Sequence, residues 1–336
     1  MILNKTPFRI SMFGGGSDYP IYYHENQGAT LSTTINKYCY IQTRYFPNIF
    51  NCKYRLRYHE REEVNNLYDI KHPSVRECIK YLNIDKGLEI VHTSDIPHRT
   101  GMGSSSAFTV GFMHSLYTLK GETVSKRQLA ADAIHLEQNI IKESVGSQDQ
   151  ISASYGGFNR ICFGNGIENE FEVHPIKISK YKLDNLQKHL MLFFTGYSRT
   201  ASDVAKEQIK ITPEKKKEIK RMVEMVDEGI DILKGNNSDI SDFGKLLHES
   251  WMLKKSLTNK ISTSEIDNIY NSGIKASALG GKLLGAGGGG CILFFTKPED
   301  QEKVRQKMKE LNQNIIEIPF KFENQGSTII YKDEEQ

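Results

Sequence analysis

The chain lacks any long apolar run, which limits its relation to membranes. Its 336 residues include no stretch of about 18 consecutive apolar residues, the length that a membrane-spanning helix needs. Residues 1–7 also lack the charged-then-apolar layout of a secretory signal. We therefore expect a cytoplasmic protein without a membrane partner.

Paired cysteines and an excess of basic charge are absent as well. The five cysteines are scattered and form no Cys-x-x-Cys pair, which argues against a zinc or redox site and for buried, reduced thiols. Lysine plus arginine (44) nearly balances aspartate plus glutamate (41), and the formal charge of +3 is spread along the chain. Without a basic stripe, we expect no nucleic-acid partner. The cysteines are Cys39, Cys52, Cys78, Cys162 and Cys291.

The two best-known nucleotide loops are also missing. Neither Gly-x-x-x-x-Gly-Lys-Ser/Thr nor a Gly-x-Gly-x-x-Gly that opens the first helix is present. Instead, a glycine- and serine-rich segment at residues 97–107 lies between a predicted strand at 88–91 and an apolar helical run at 108–119. Glycines let backbone N–H groups approach an anion, and the first turn of a helix favours negative charge. The segment predicts a phosphate-binding loop, with a capped helix and flexible glycines as the alternative.

Two further glycine-rich segments stand far from this loop. The first is a tight turn at residues 14–16, with Arg9 before it and Asp18 after it. A carboxylate on such a turn can accept hydroxyls of a polyol, and a guanidinium can stabilise a transferred phosphoryl group. The alternatives are turn capping for Asp18 and a surface ion pair for Arg9. The second segment, residues 285–290, runs directly into an apolar strand at 292–295, which argues against a linker.

Counted along the chain, the three glycine-rich segments are residues 14–16, 97–107 and 285–290, and two acids lie between the second and the third. Glu137 stands beside the apolar stripe of a helix that begins at Ser125, and an acid at the edge of a buried face needs a cation. Asp149 follows within Gly-Ser-Gln-Asp-Gln at residues 146–150 and is a candidate general base. The alternatives are an exposed glutamate on a helix flank and a helix N-cap.

In this order, the three segments and two acids resemble the GHMP kinases, the superfamily of galactokinase, homoserine kinase, mevalonate kinase and phosphomevalonate kinase. The second motif of that family reads Pro-x-x-x-Gly-Leu-Gly-Ser-Ser-Ala/Ser-Ala, and residues 97–107 match it with Met102 in the leucine place. His98 and Arg99 depart from the small residues that are usual there. The resemblance extends from residue 7 to about residue 295 and implies an α+β fold. It places an N-terminal, ATP-binding domain like domain 2 of ribosomal protein S5 at 1–185 and a ferredoxin-like domain with extra helices at 186–336. The residue patterns also predict a strand at 35–46 with a candidate hairpin partner at 54–59, and a last strand at 327–331 that would belong to the second domain.

The resemblance also implies the roles of individual residues. Asp149 would accept the proton of the substrate hydroxyl, while Arg9 would stabilise the charge of the transition state. Glu137 and Ser105 would hold Mg²⁺. The phosphates of ATP would lie on Pro97, Gly101, Met102, Gly103, Ser104, Ser105 and Ser106. The substrate would lie on Gly15, Gly16, Ser17, Asp18, Gly287 and Gly288.

The first glycine turn narrows the expected substrate. Galactokinases have Gly-Glu-His-Thr-Asp where this chain has Gly-Gly-Gly-Ser-Asp at residues 14–18, which argues against galactose. The spelling around this turn resembles the heptose-phosphate branch of the superfamily, as does the Thr-Gly-x-Ser-Arg-x-Ala-Ser segment at 195–202. In that segment, Ser198 and Arg199 would bind a second phosphate of the substrate, with a capped helix start as the alternative.

We therefore expect ATP-dependent phosphorylation of the anomeric hydroxyl of a heptose 7-phosphate, as a step towards nucleotide-activated heptose for surface polysaccharide. A GHMP kinase for another sugar, such as fucose, is one alternative. A sensing protein on the same fold is the other, and such a protein would be expected to lose Asp149 or Glu137, which are both present. The expected ligands are ATP, Mg²⁺ and a sugar phosphate, and a homodimer is left open.

Overall fold

The computed structural model describes residues 1–164, 170–197, 201–235 and 238–333, without the side chains of Ala201 and Ser202. The strands are β1 (Ile2–Phe13), β2 (Gly28–Tyr45), β3 (Tyr54–Arg57), β4 (Arg61–Val64), β5 (Leu88–Ser94), β6 (Phe158–Phe163), β7 (Phe171–Pro175), β8 (Leu190–Phe194), β9 (Ala278–Leu283), β10 (Cys291–Thr296), β11 (Ile316–Glu317), β12 (Phe322–Glu323) and β13 (Thr328–Lys332).

Helices account for most of the remaining described chain, and short 3₁₀ turns lie at Leu67–Asp69, Thr212–Glu214 and Pro298–Asp300. The α-helices are α1 (Pro20–Tyr23), α2 (Pro73–Tyr81), α3 (Ser104–Leu119), α4 (Lys126–His135), α5 (Gln148–Tyr155), α6 (Lys180–His189), α7 (Ala201–Ile211), α8 (Lys216–Lys234), α9 (Ser241–Leu257), α10 (Ser264–Lys275) and α11 (Gln301–Leu311). In the part of the chain that the structure covers, none of these helices is both long and apolar enough to cross a bilayer.

The larger sheet joins nine of the described strands around the long strand β2. Its main path is β13-β1-β2-β5-β3-β4. β1 lies antiparallel to β2 along one side, while the other side of β2 pairs in turn with β6, β12 and β5. Every residue of β1 from Phe8 to Phe13 is buried, because α3 and α8 pack on this strand. The strand that carries Arg9 is therefore held on all sides.

The smaller sheet has the strand order β11-β8-β10-β9, with all neighbours antiparallel. Numbered within this sheet, the order is 4-1-3-2, with helices between the first and second strands and between the third and fourth. This is the ferredoxin-like arrangement that the resemblance implied. Its first connection contains four α-helices, α7 to α10, where that arrangement needs only one. The α+β fold class is confirmed.

The end of the chain departs from the predicted division. We expected the strand near residues 327–331 to complete the second domain, but β13 pairs antiparallel with β1 in the larger sheet, with Leu3 opposite Tyr331. β12 likewise pairs with β2. The placement of that last strand was wrong, because alternating apolar residues predict a strand without identifying its partner. The boundary between residues 185 and 186 stays a prediction.

A second pairing was also wrong. We expected residues 54–59 to pair with the strand at 35–46, but β3 forms a hairpin with β4 and lies parallel to β5. The two sheets nevertheless share one hydrophobic core, in which Phe13 of β1 meets Phe243 of α9 edge to face at 5.0 Å between ring centroids. This shared core fixes the groove where the three glycine-rich segments converge.

Candidate active site

The predicted phosphate loop leads directly into α3. Gly103 precedes the helix in the left-handed region at φ 75°, and Gly101 has φ 76°. Met102 between them is fully buried, and its carbonyl oxygen accepts the backbone N–H of Arg9 at 3.2 Å. The apolar residue of the motif thus anchors the loop to β1 while the neighbouring glycines turn the backbone. The first-turn N–H groups of α3 are left for an anion, as helix starts allow.

Arg9 and Asp149 form the central ion pair of the site. Nε and Nη2 of Arg9 donate to the two carboxylate oxygens of Asp149 at 2.7 and 2.8 Å, and Nη1 donates to the carbonyl oxygen of Gly101 at 2.6 Å. Only 4% of Arg9 is exposed, so the alternative of a surface ion pair does not apply. Ser147, not Asp149, occupies the N-cap position of α5. The bidentate contact fixes the carboxylate's orientation beside the phosphate loop.

The first glycine turn holds Asp18 at the same place. The carboxylate of Asp18 accepts the backbone N–H of Gly16 at 2.9 Å, and burial raises its pKa. Ser17 was predicted to contact substrate, but its hydroxyl is buried and donates to the carbonyl oxygens of Gly14 and Ala29 at 2.8 and 3.0 Å. That prediction does not fit the geometry, because Ser17 closes the turn from behind. Asp18 faces the cavity and Ser17 does not.

The third glycine segment packs against the phosphate loop. A Cβ on Gly285 would lie 2.5 Å from Cα of Gly101, so the two loops touch backbone to backbone. Gly287 and Gly288 were predicted substrate contacts, but Gly288 donates its backbone N–H to the carbonyl oxygen of Ile261 at 2.9 Å. A Cβ on Gly287 would lie 2.7 Å from that same oxygen. These two glycines therefore lie against the connection between α9 and α10, and Gly285 and Ala286 are the residues of this segment that line the cavity.

Glu137 lies in a π-helical turn, Leu136–Ile140, that follows α4. Its carboxylate is fully buried and accepts a hydrogen bond from the Ser106 hydroxyl at 2.8 Å and another from the Gln150 side chain. Burial, with a smaller contribution from the nearby Glu143 carboxylate, raises the Glu137 pKa to about 7. Ser105, the predicted magnesium ligand, is exposed and lines the cavity, and its magnesium role stays a prediction. π-turns of this kind are frequent at functional sites.

Two buried lysines were not predicted from the sequence. The ε-ammonium of Lys254 donates to the carbonyl oxygen of Gly285, and that of Lys282 donates to the carbonyl oxygen of Met12 at 2.9 Å. Burial lowers the pKa of Lys254 to about 8 and that of Lys282 well below its usual range. Lys282 lies three residues before the third glycine segment, and its closeness to that segment was the only signal in the sequence. Lys254 sits in a Lys-Lys pair that resembles any solvated helix face.

One cavity of about 790 Å³ brings these groups together. Residues from β1, the phosphate loop, α5, α7, α9 and the third glycine segment line it, so the three segments meet as the sequence predicted. Buried Met102, Ser17 and Glu137 stand behind its wall, and Gly287 and Gly288 lie elsewhere. Ser198 and Arg199 lie outside the described residues. The predicted site residues in the lining are Arg9, Gly15, Gly16, Asp18, Pro97, Gly101, Gly103, Ser104, Ser105, Ser106 and Asp149.

The other end of this cavity is lined by rings. His72 and His92 both pack on Phe108, at 4.7 and 5.1 Å between ring centroids, and His98 stacks on His59 at 5.3 Å. Burial lowers the pKa of His72 and of His92 to about 4, so both rings are neutral at physiological pH. Flat neutral rings suit stacking on a planar base. His98 is therefore part of this wall through its contact with His59. Arg99, in the left-handed region at φ 62°, lies at the rim of the cavity.

Comparison with known proteins agrees with this geometry. A family model described as "GHMP kinases N terminal domain" matches residues 72–157, and one described as "GHMP kinases C terminal" matches residues 231–314. The phosphate loop, Glu137 and Asp149 fall within the first match, and the third glycine segment falls within the second. The chain belongs to the GHMP kinase superfamily, and it is a phosphotransferase with an alcohol group as acceptor.

Among individual relatives, the chain is similar to D-glycero-alpha-D-manno-heptose 7-phosphate kinase of Campylobacter jejuni, with 27% identity over 95% of this chain and 96% of the relative. It is also 27% identical to the mevalonate kinase of Methanocaldococcus jannaschii, over 94% and 97% of the two chains. Its fold resembles the crystal structure of a D-glycero-D-manno-heptose 1-phosphate kinase from Bacteroides thetaiotaomicron, with a TM-score of 0.72, 22% identity and coverage of 99% and 100%.

Proposed function

We propose that this chain is an ATP-dependent sugar kinase that phosphorylates the anomeric hydroxyl of D-glycero-D-manno-heptose 7-phosphate to give the 1,7-bisphosphate. The product would serve the synthesis of nucleotide-activated heptose for surface polysaccharide. The observation that carries the kinase assignment is the Arg9–Asp149 pair, which lies hydrogen-bonded to the phosphate loop in a cavity that also contains Asp18. The heptose assignment is supported by the nearly full-length similarity to the Campylobacter jejuni enzyme.

The residues around Glu137 fit a magnesium ion. Oε1 of Glu137 is buried without a hydrogen-bond partner among the described residues, and the Ser106 hydroxyl already lies at the other carboxylate oxygen. Among these residues no cluster of three or more His, Cys, Asp or Glu could hold a metal by itself. That suits Mg²⁺, which is commonly held by one or two carboxylates together with substrate phosphates. When bound, the ion would neutralise charge on the transferred phosphoryl group.

Asp149 and Arg9 would carry the proton and charge of the reaction. The Asp149 carboxylate uses one lone pair on each oxygen for Arg9, which leaves acceptor capacity for the hydroxyl proton of the substrate. Nη1 of Arg9 is bound to the phosphate-loop carbonyl of Gly101, so the guanidinium lies between the base and the phosphates. A guanidinium stays protonated and can stabilise the phosphoryl group as it moves. Asp18 would accept hydroxyls of the sugar.

The test is phosphorylation by the purified protein of a panel of acceptors with ATP and Mg²⁺. The panel contains heptose 7-phosphate, hexose 6-phosphates, unphosphorylated heptose, fucose and galactose, and mevalonate. We expect turnover to be largest with heptose 7-phosphate and the product to carry phosphate at the anomeric carbon by ³¹P NMR. Preference for an unphosphorylated sugar or for mevalonate would contradict the heptose-phosphate assignment.

A catalytic-base control distinguishes true turnover from contaminating activity. Asp149→Asn keeps the size of the side chain but removes its ability to accept the proton as a base. Turnover that survives this substitution would contradict the role proposed for Asp149. Absence of phosphoryl transfer to every acceptor, together with ATP binding by calorimetry, would instead favour a sensing protein on the same fold.

A further inference from the structure

The wall around the glycine turn contains buried polar atoms without a hydrogen-bond partner in the part of the chain that the structure describes. Oγ of Ser11, Oε1 of Gln148 and Nε2 of Gln208 are buried and have no hydrogen-bond partner among the described residues. All three residues line the cavity. Burying an unsatisfied polar group costs stability, so a cluster of such groups in a cavity wall needs an explanation.

Gln208 is the most enclosed of the three, at 2% exposure. It belongs to α7, and the Thr212 hydroxyl donates to its backbone oxygen at 2.8 Å, which holds this end of the helix. Its Nε2 lies 2.6 Å from the point where a Cβ on Gly16 would stand. Gly16 also has φ 105°, which few other residues adopt. The missing side chain at residue 16 thus leaves the space into which the Gln208 amide points.

Ser11 and Gln148 border the neighbouring residue of the same turn. A Cβ on Gly15 would lie 3.8 Å from the Ser11 hydroxyl and 3.9 Å from Nε2 of Gln148. Only 4% of Ser11 is exposed. The two glycines are therefore flanked on one side by a hydroxyl and an amide and on the other by the Gln208 amide. All these groups are neutral, in contrast to the cations Arg9 and Lys254 in the same cavity lining.

Neutral donors and acceptors at this spacing match hydroxyl groups better than a phosphate. A phosphate dianion would be expected to lie against Arg or Lys, whereas a hydroxyl both donates and accepts and is satisfied by amides and other hydroxyls. We propose that Gln208 and Ser11 bind ring hydroxyls of the acceptor, so that α7 determines which polyhydroxylated substrate is accepted. This inference deepens the proposed function and rests on it.

The test uses two variants and a matched control. Gln208→Met keeps the length of the side chain without its polar atoms, and Ser11→Ala removes the unpartnered hydroxyl. We expect kcat/KM for the acceptor to fall about 10- to 100-fold with Gln208→Met and less with Ser11→Ala, whereas the KM for ATP stays unchanged. Gln301→Met, on α11 and away from the cavity, makes the same chemical change and should leave both constants unchanged.

Thermal stability separates binding from a structural role. Removing a buried polar atom that has no partner should leave Tm unchanged or raise it, although acceptor binding weakens. A lower Tm together with parallel losses for ATP and acceptor would overturn the inference and make Gln208 a structural residue. Ser11→Ala serves the same purpose, because the loss of one unpaired oxygen does not disturb packing.

Deoxy analogues of the acceptor then locate the contact. The wild type should lose affinity for the analogue that lacks the bound hydroxyl, and Gln208→Met should show no further loss with that analogue. Additive losses with every deoxy analogue would overturn the direct contact. The cycle is run with whichever sugar the wild type phosphorylates. Hence turnover of a different sugar contradicts only the heptose assignment, and turnover of no sugar contradicts both proposals.

Discussion

At one end of the cavity, Arg9, Lys254 and Lys282 surround the carboxylates of Asp18 and Asp149. At the other end the wall consists of neutral rings, and burial keeps the pKa of His72 and of His92 at about 4. Side chains of opposite charge at close range have to be held in fixed positions, whereas stacked rings tolerate substitution by other rings. The comparison predicts that substitutions at the charged end cost far more activity than substitutions among the rings.

The largest effect should come from the Arg9–Asp149 pair. Asp149→Asn and Arg9→Gln should each lower kcat about 10³-fold, because one removes the base and the other removes its orienting partner. The double variant should lose little more than either single variant, since groups that act as a unit are non-additive. Steady-state kinetics of the three variants measure this. Fully additive losses would show that the two residues act independently.

Glu137→Gln should lower kcat about 10²-fold and raise the Mg²⁺ concentration needed for half-maximal rate. Its effect on stability has the opposite sign. Because burial raises the pKa of Glu137 to about 7, the folded protein binds this proton between the ordinary glutamate pKa and about pH 7 while the unfolded chain does not. Wild-type stability is therefore lost as pH rises through that window.

The free energy of unfolding of Glu137→Gln should consequently equal that of the wild type near pH 4.5. At pH 8 it should exceed the wild-type value by an amount on the order of 3 kcal/mol. Thermal melts across this range in EDTA measure the difference, and Mg²⁺ with ATP should restore wild-type stability at pH 8 but not change the variant as much. A constant difference at every pH would contradict the buried, protonated carboxylate.

Lys254→Met should lower kcat/KM about 10- to 100-fold at pH 7, because a cation in the wall of the cavity is lost. Burial lowers the pKa of Lys254 to about 8, so the cation is present below that pH and is lost above it. Wild-type kcat/KM should therefore fall as pH rises through about 8, and this alkaline limb should disappear in the variant.

The neighbouring Lys255 offers a matched control for Lys254. Its ε-ammonium donates to a carboxylate oxygen of Asp267 at 2.8 Å, between α9 and α10, and it does not line the cavity. Lys255→Met should leave the pH profile unchanged. If the fall of kcat/KM above pH 8 persists in Lys254→Met, the titrating group is not Lys254.

The smallest effect is expected at the ring end. His92→Phe keeps a flat ring against Phe108 and removes only the ring nitrogens, so the KM for ATP should rise about threefold with kcat unchanged. Comparison of ATP and GTP as donors would show whether the nitrogens select the base. A loss of kcat/KM as large as that of Lys254→Met would contradict the contrast between the two ends of the cavity.

The sequence was sufficient to predict groups that stand in contiguous motifs. These groups belong to glycine-containing motifs that can be identified from the sequence alone, and the structure places them in one cavity. They are the phosphate loop, Arg9, Asp18 and Asp149. Ser106 was predicted to bind ATP, and its contact with Glu137 was not predicted. Adjacent helical residues point about 100° apart, so only the start of α3 at Ser104 fixes which serine meets Glu137. The magnesium role of Ser105 stays a prediction.

Residues without a local signal could not be predicted. Lys254 lies in a Lys-Lys pair and Gln208 in an ordinary amphipathic helix, so their burial depends on how α9 and α7 pack over the glycine turn. The same limit applied to strand pairing, where the patterns of β3 and β13 predicted strands but their partners are set by the whole fold.

The pairing of β1 with β13 has a consequence for biosynthesis. The strand that carries Arg9 is synthesised before its partner β13, and one of its edges is completed only by residues more than 300 positions later, as in the pairing of Ile2 with Lys332. The growing polypeptide must therefore keep that edge unpaired until residues 328–332 have been synthesised, and an unprotected strand edge is prone to association with other chains.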